Sequence, residues 1–239
     1  MGAIVAEESD VEPEATVRVA EVFRSLQGEG PSLGTPSTFV RLQGCTVGCE
    51  WCDTKYSWPA AGGTAMSWPA LLDTVAAGLA EHVGNVVVTG GEPLEHPDFV
   101  RLVEELKRRG LRLEVETSGV RAPDAAAAAV VDQWNVSLKL AHSGVPEGRR
   151  LVPVAIDAFR RIGDRVYWKF VVGAAEHVDE AVAVVSRFDL PREHVLLMPL
   201  TLAGDQRRID EMVWSACLAR GFRYTPRAHA AIFGLRRGV

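Results

Sequence analysis

Cysteine is scarce in this chain of 239 residues: there are four, and three of them fall within eight positions. No apolar run approaches the ~20 residues that would span a bilayer, so no membrane segment is expected. Basic residues are not in excess either. Lys and Arg number 26 against 31 Asp and Glu, a formal net charge of −5, which leaves no electrostatic footprint for nucleic acid. The first sixteen residues carry Glu7, Glu8, Asp10, Glu12 and Glu14 but no basic side chain and no apolar core of a signal peptide. Ala6 stands where the myristoylation pattern takes Ser or Thr. Residues 1–16 are therefore expected to be a solvated, disordered acidic tail. Clustered reduced thiols without an export signal point to the cytoplasm. No internal repeat or linker divides the remainder, so residues 17–239 are expected to form a single domain. Its 47% hydrophobic and 24% charged residues are ordinary for a soluble protein with one well-buried core.

What is present is concentrated in Cys45-Thr-Val-Gly-Cys49-Glu-Trp-Cys52-Asp53-Thr54. Three thiolates on a tight loop supply three corners of a metal centre and leave one open. A structural zinc site closes with four protein ligands, so a zinc reading needs the distant Cys217 or a histidine. A cubane iron–sulfur cluster held by three cysteines keeps one iron free for another ligand. Buried, unreactive thiols are the plainest alternative.

Along the chain, Val17 to Phe23 reads as a short strand entering Ser25-Leu26-Gln27-Gly28-Glu29-Gly30. The glycines there permit a sharp loop, and Gln27 and Glu29 bring an amide and a carboxylate to it. Thr38 to Leu42 is the next strand, with Arg41 near its end, suited almost equally to a surface ion pair or to an anion. Ser67 is a good N-cap and Pro69 a good first-turn residue for a helix running to about His82. The β-branched run Asn85 to Thr89 lacks alternation, which predicts a strand buried on both faces. It stops at Gly90-Gly91, where backbone can approach a ligand closely. Helices about Asp98–Arg109, Ala125–Val131, Ile156–Ile162, Val178–Phe188 and Gln206–Ala219 then alternate with further strands. Those strands are Leu111–Thr117, Trp134–Leu140, Val166–Val172 and His194–Met198. This alternation implies an α/β fold of parallel βαβ units, with function at the C-terminal ends of the strands. The cysteine loop, Gly90-Gly91, Glu116-Thr117, Ser137 to Lys139 and Pro199 all fall at or beside such ends.

The cysteine spacing, followed by Gly90-Gly91-Glu92-Pro93, resembles the radical S-adenosylmethionine (SAM) enzymes. Further motifs resemble one family among them, the 7-carboxy-7-deazaguanine synthases. They are Glu21 to Gly30, Phe39-Val-Arg41, Gly44-Cys45, Cys52-Asp-Thr54, Thr89 to Pro93, Glu116 to Gly119, Ser137-Leu-Lys139 and the ending His229 to Val239. The resemblance implies an incomplete (β/α) TIM-like barrel of parallel strands with the site at their C-terminal ends. It also implies an activity, a radical ring contraction of 6-carboxy-5,6,7,8-tetrahydropterin to 7-carboxy-7-deazaguanine with loss of ammonia. In that family's pattern Cys45, Cys49 and Cys52 would ligate a 4Fe–4S cluster. Gly90, Gly91, Glu92, Ser137, Leu138 and Lys139 would contact SAM, and Thr54 would ligate Mg²⁺. Leu26, Gln27, Gly28, Arg41 and Thr89 would hold the pterin, joined by Glu29, Glu116, His229 and the terminal carboxylate of Val239. A homodimer and an electron donor such as flavodoxin or ferredoxin are implied partners. No acid–base residue is assigned, nor any role to His142 or Cys217. Trp58, Trp68 and Trp214 are core or interface residues that sequence does not separate. The rivals are another small radical SAM enzyme, such as a glycyl-radical activase, which would not need Gln27, Arg41 or Thr54, and a non-enzymatic zinc module.

Overall fold

The computed structural model describes residues 15–80, 83–201, 206–234 and 236–239. The expected tail therefore lies outside the described residues up to position 14, as does His82, while Thr16 already belongs to the first strand. The strands are β1 (Thr16–Leu26), β2 (Pro36–Leu42), β3 (Thr64–Ser67), β4 (Asn85–Gly90), β5 (Arg112–Thr117), β6 (Gln133–Ser137), β7 (Val166–Val172), β8 (Val195–Pro199) and β9 (Arg223–Tyr224). Between them lie α1 (Trp68–Ala80), α2 (Phe99–Arg108), α3 (Ala125–Val130), α4 (Glu147–Arg150), α5 (Pro153–Ile162), α6 (Ala175–Arg187), α7 (Gln206–Arg220) and α8 (Ala228–Phe233).

Among the described residues the nine strands make one sheet, ordered β3-β1-β2-β4-β5-β6-β7-β8-β9. From β2 to β9 every neighbouring pair is parallel. The all-parallel expectation fails at one edge, where β1 runs antiparallel to both β2 and β3. The cause is chain length: residues 27–35 join β1 to β2, whereas a parallel crossover takes roughly a dozen residues or more. The short strands β3 and β9 carry too little pattern to announce themselves in sequence.

One face of the sheet is apolar and covered by helices. Val40, Leu42, Val86, Val88, Leu113, Val115, Trp134, Val136, Trp168 and Phe170 alternate onto it and are almost fully buried. They meet Leu71, Val75, Leu102, Leu106, Ile156 and Phe159 from the helices. Each such side chain removed from water contributes about 1.5–3 kcal/mol, so this layer carries the fold. Local signals place the helices: Ser67 Oγ accepts from Ala70 N at 3.4 Å, and Asp124 caps the alanine-rich α3 through Ala126 N at 2.8 Å. The structure also separates the tryptophans. Trp68 is core with Arg101 stacked on it, Trp58 lines a cavity, and Trp214 is exposed on α7.

Candidate active site

The other face of the sheet is polar. Arg41 of β2, Thr89 of β4, Glu114 and Glu116 of β5, Asn135 and Ser137 of β6 and Lys169 of β7 occupy the alternate positions of the same strands. The β1–β2 connection lies against this face and saturates part of it. Gln27 Nε2 donates to Glu114 Oε1 at 2.7 Å and Glu116 Oε1 at 3.3 Å, and Ser32 Oγ donates to Gln133 Oε1 at 3.0 Å. Asn135 Nδ2 donates to the same Glu114 oxygen at 2.6 Å, leaving Glu114 Oε2 without a hydrogen bond. Burial, and next the charge of Glu116, push the Glu114 carboxyl above the usual carboxylate range. Thr89 Oγ1 donates to the other oxygen of Glu116 at 3.2 Å.

A cavity of ≈ 220 Å³ opens above this layer, reaching the cysteine loop. Cys45, Cys49, Cys52 and Thr54 line it, as do Gly90, Gly91, Ser137 and Lys139. So do Leu26, Gln27, Gly28, Glu29, Arg41, Thr89, Glu116, His229 and Val239. Two residues of the expected set stand elsewhere. The Leu138 side chain is in the helix-facing core, 1% exposed. Glu92 is buried with its carboxylate fully engaged, accepting from Thr117 Oγ1, Ser118 N, Ser118 Oγ and Leu94 N. The part of Leu138 left for a ligand in the cavity is its backbone, and the Glu92 carboxylate braces the turn that follows β4.

The double glycine has a physical reason internal to the chain. A Cβ on Gly91 would sit 2.2 Å from the Gly44 carbonyl oxygen and 2.6 Å from Cys45 Cβ, and one on Gly90 would sit 2.6 Å from Leu42 O. The close approach is thus between β4 and the cysteine loop, sealed by Gly91 N to Leu42 O at 3.1 Å and Glu92 N to Gly44 O at 2.9 Å. Within that loop Gly44 and Gly48 take the left-handed region at φ +106 and +79. Thr46 is pinned by Glu95, through N at 2.8 Å and Oγ1 at 2.6 Å.

All four cysteines are free thiols. Cys45, Cys49 and Cys52 pack together with Val47 and Val145. Burial pushes the Cys45 thiol up to about 11 and raises Cys49 as well, opposed there by Lys139. Among the described residues, no three His, Cys, Asp or Glu side chains converge as the ligands of a single ion. A cubane asks for one thiolate at each of several separate irons, which three free cysteines on one loop can supply. Cys217 is not part of this group: it lies in the main core on α7 and donates to Arg223 O at 3.4 Å. That removes the zinc reading that recruits it.

Arg41 is held through its Nε, which donates to Glu21 Oε1 at 2.8 Å, and Tyr56 OH donates to the same oxygen. Lys139 Nζ donates to Ser137 Oγ at 2.9 Å and lies 5.5 Å from the centroid of Trp51. Sequence reasoning did not single out Lys169, Asp53 or Arg227, which line the same cavity. Lys169 Nζ meets Glu29 Oε2 at 2.5 Å, Arg227 Nε meets Glu29 Oε1 at 3.3 Å, and Arg227 also pairs with Asp53. Burial alone would raise the Glu29 carboxyl, but Lys169, then Arg227 and His229, outweigh it and hold it at about 2. The visible signal for Lys169 was a lone charge inside the apolar run Val166 to Val172; Arg227 had none.

The sequence profile of the Radical SAM superfamily matches residues 39–200. A 7-carboxy-7-deazaguanine synthase from Pyrobaculum aerophilum is 40% identical over 226 residues, covering 93% of this chain and 97% of that protein. The protein of the same name from Escherichia coli is 32% identical over 232 residues, covering 88% and 96%. Among solved structures, QueE from Escherichia coli aligns with a TM-score of 0.71 at 27% identity, over 90% of this chain and 95% of that one. Streptococcus suis SuiB bound to S-adenosylmethionine, at 15% identity and a TM-score of 0.57 over 77% of this chain and 48% of that one, shares the fold.

Proposed function

The chain belongs to the 7-carboxy-7-deazaguanine synthases of the radical SAM superfamily, and on that premise we propose how its own side chains divide the work. The reaction is the ring contraction of 6-carboxy-5,6,7,8-tetrahydropterin to 7-carboxy-7-deazaguanine with loss of ammonia, on the route to queuosine and other 7-deazapurines. A 4Fe–4S cluster and SAM, when bound, supply the 5′-deoxyadenosyl radical that this chemistry requires. Cys45, Cys49 and Cys52 hold the cluster. The backbone at Gly90-Gly91 and Leu138, with the side chains of Ser137 and Lys139, receives SAM.

The pterin lies over the polar face of the sheet. Arg41, steered by Glu21 through Nε, directs its terminal nitrogens to the substrate carboxylate as a fork. Thr89 and Glu116 offer a hydroxyl and a carboxylate to the ring. Gln27 has its amide engaged with Glu114 and Glu116, so it sets the position of Glu116, while Leu26 and Gly28 shape the floor. Glu29 is ionised throughout the working range and held by Lys169 and Arg227; His229 and Val239 bring the C-terminal segment to the same cavity. Thr54 supplies the oxygen that a hard ion such as Mg²⁺ prefers.

The working protein is taken to be a single domain over residues 17–239 and a cytoplasmic homodimer, reduced by flavodoxin or ferredoxin. Exposed Trp214 and Leu218 on α7 support an apolar contact face. Among the described residues, no helix is long and apolar enough to cross a membrane.

The observation that carries this reading is the meeting of the three cysteines, Gly91, Arg41, Thr89 and Glu116 around one cavity. The test is anaerobic reconstitution with iron and sulfide, then reduction with SAM and carboxytetrahydropterin. The expected result is 7-carboxy-7-deazaguanine and ammonia in equal amounts, with no net consumption of SAM. Stoichiometric 5′-deoxyadenosine without deazaguanine overturns it.

A further inference from the structure

The C-terminal segment is fastened to the β1–β2 connection at several points. Gly30 N donates to Thr225 Oγ1 at 2.7 Å, and Ala228 N donates to Gly28 O at 2.9 Å. His229 packs so closely on Gly28 that a Cβ there would lie 2.3 Å from its Nδ1. Between these contacts Arg227 enters the cavity wall with its side chain 11% exposed. Its Nε meets Glu29 and its terminal nitrogen meets Asp53. One guanidinium therefore joins a residue of the substrate floor to the residue that separates Cys52 from Thr54.

We propose that Arg227 is a positioning residue that fixes the cysteine loop at a set distance and orientation from the substrate floor. This role rests on the activity proposed above for what is being positioned, but the contact itself is independent of it. A guanidinium is a rigid fork of donors, so bridging two carboxylates fixes their separation as well as their charge. Without it, Glu29 and Asp53 are two carboxylates on different segments with no common cation. Asp53 is flanked directly by a cluster cysteine and by Thr54, so its displacement moves both. Radical transfer between two bound molecules depends on reacting atoms being held close, and a misplacement of about 1 Å can cost about a hundredfold in rate.

The experiment compares Arg227→Gln, Asp53→Asn and the double variant on the reconstituted full chain. Each single change is expected to lower kcat by about ten- to a hundredfold. The double variant is expected to be no slower than the worse single one, because both remove the same link. KM for the pterin and the 5′-deoxyadenosine formed without substrate are expected to stay within about threefold of wild type. Amide hydrogen exchange over residues 45–54 should rise equally in both singles and no further in the double. Arg227→Lys keeps a charge but not the fork. It should retain the wild-type melting temperature and still show the faster exchange. Multiplying rate losses, or exchange over 45–54 unchanged in Arg227→Lys, would overturn the proposal. A wild type that makes no deazaguanine defeats the assigned activity instead, and the exchange measurement still decides the link.

Discussion

The imidazole of His142 lies flat against that of His177, with ring centroids 3.7 Å apart and planes 12° from parallel. Trp51 of the cysteine loop stacks on His142 at 5.6 Å. The loop is thereby braced against α6 by a column of three rings, and neither ring nitrogen of His142 has a hydrogen-bond partner.

That column makes the protein sensitive to acid. Burial, then His177, Arg150 and Lys139, hold the His142 pKa down to about 4, against about 6.5 in an unfolded chain. The folded form resists the proton that the unfolded form accepts, so stability is whole above about pH 6.5 and drains away as pH falls towards 4. The full shift corresponds to about 3 kcal/mol, and because His142 is only half-buried, solvent screening brings the loss to roughly 1–2 kcal/mol. His142→Phe keeps a stacking ring and removes the titration. Urea midpoints of variant and wild type should diverge in the variant's favour between about pH 7 and about pH 4; a constant difference across that range would falsify the assignment.

Gly91→Ala drives a methyl into the Gly44 carbonyl and Cys45. Neither is the end of a flexible side chain, so the loop or β4 must shift, at about 2–4 kcal/mol. Reduced iron uptake on reconstitution should accompany the lower melting temperature. Gly84→Ala is the control: no atom lies within 4 Å of its added Cβ, and it should stay within about 0.5 kcal/mol of wild type. Equal behaviour of the two variants would remove the steric account.

Glu92→Gln places an amide where four donors now converge on a carboxylate. At least one donor is left facing another, which costs about 1–3 kcal/mol for a buried group. SAM binding, followed by the change in cluster absorbance, should weaken in step with stability, because the turn after β4 loses its brace. Weakened SAM binding at an unchanged melting temperature would instead mean that the carboxylate touches the cofactor.

Much of this was legible in the sequence. The unbroken Val86-Val87-Val88 announced a strand buried on both faces, and the alternation of Leu113 and Val115 with Glu114 and Glu116 separated the two faces of β5. The cysteines, the double glycine and Arg41 were visible as motifs because each is short and local. The antiparallel edge was not legible, since the sense of pairing depends on how far residues 27–35 can reach rather than on the composition of β1. Nor was the ion chain, whose partners lie 140 and 198 positions from Glu29; nothing local distinguishes Arg227 from a solvated arginine.

Lys169→Met leaves Glu29 buried with Arg227 as its remaining close cation. Losing one member of a buried pair should cost about 3 kcal/mol, with part recovered in the double variant Glu29→Gln, Lys169→Met. Burial opposes the charge on Lys169, but Glu29 and then Glu116 more than offset it, so its pKa is raised, while that of Glu29 is depressed to about 2. The pair's contribution is therefore full from about pH 4.5 to about pH 10.5, and declines as acid approaches 2 or base passes the lysine. Chemical denaturation at intervals across that span should give a flat difference between wild type and Lys169→Met.

Part of the cavity floor, Gln27 to Glu29, belongs to a hairpin connection laid over a sheet whose apolar layer faces the opposite way. Binding preference and folding free energy thus reside in separate layers of the same strands. A transplanted connection of equal span, matched only to the inward side chains of β5 and β6, should therefore retool this scaffold for a different heterocycle while its helix-backed half stays as it is.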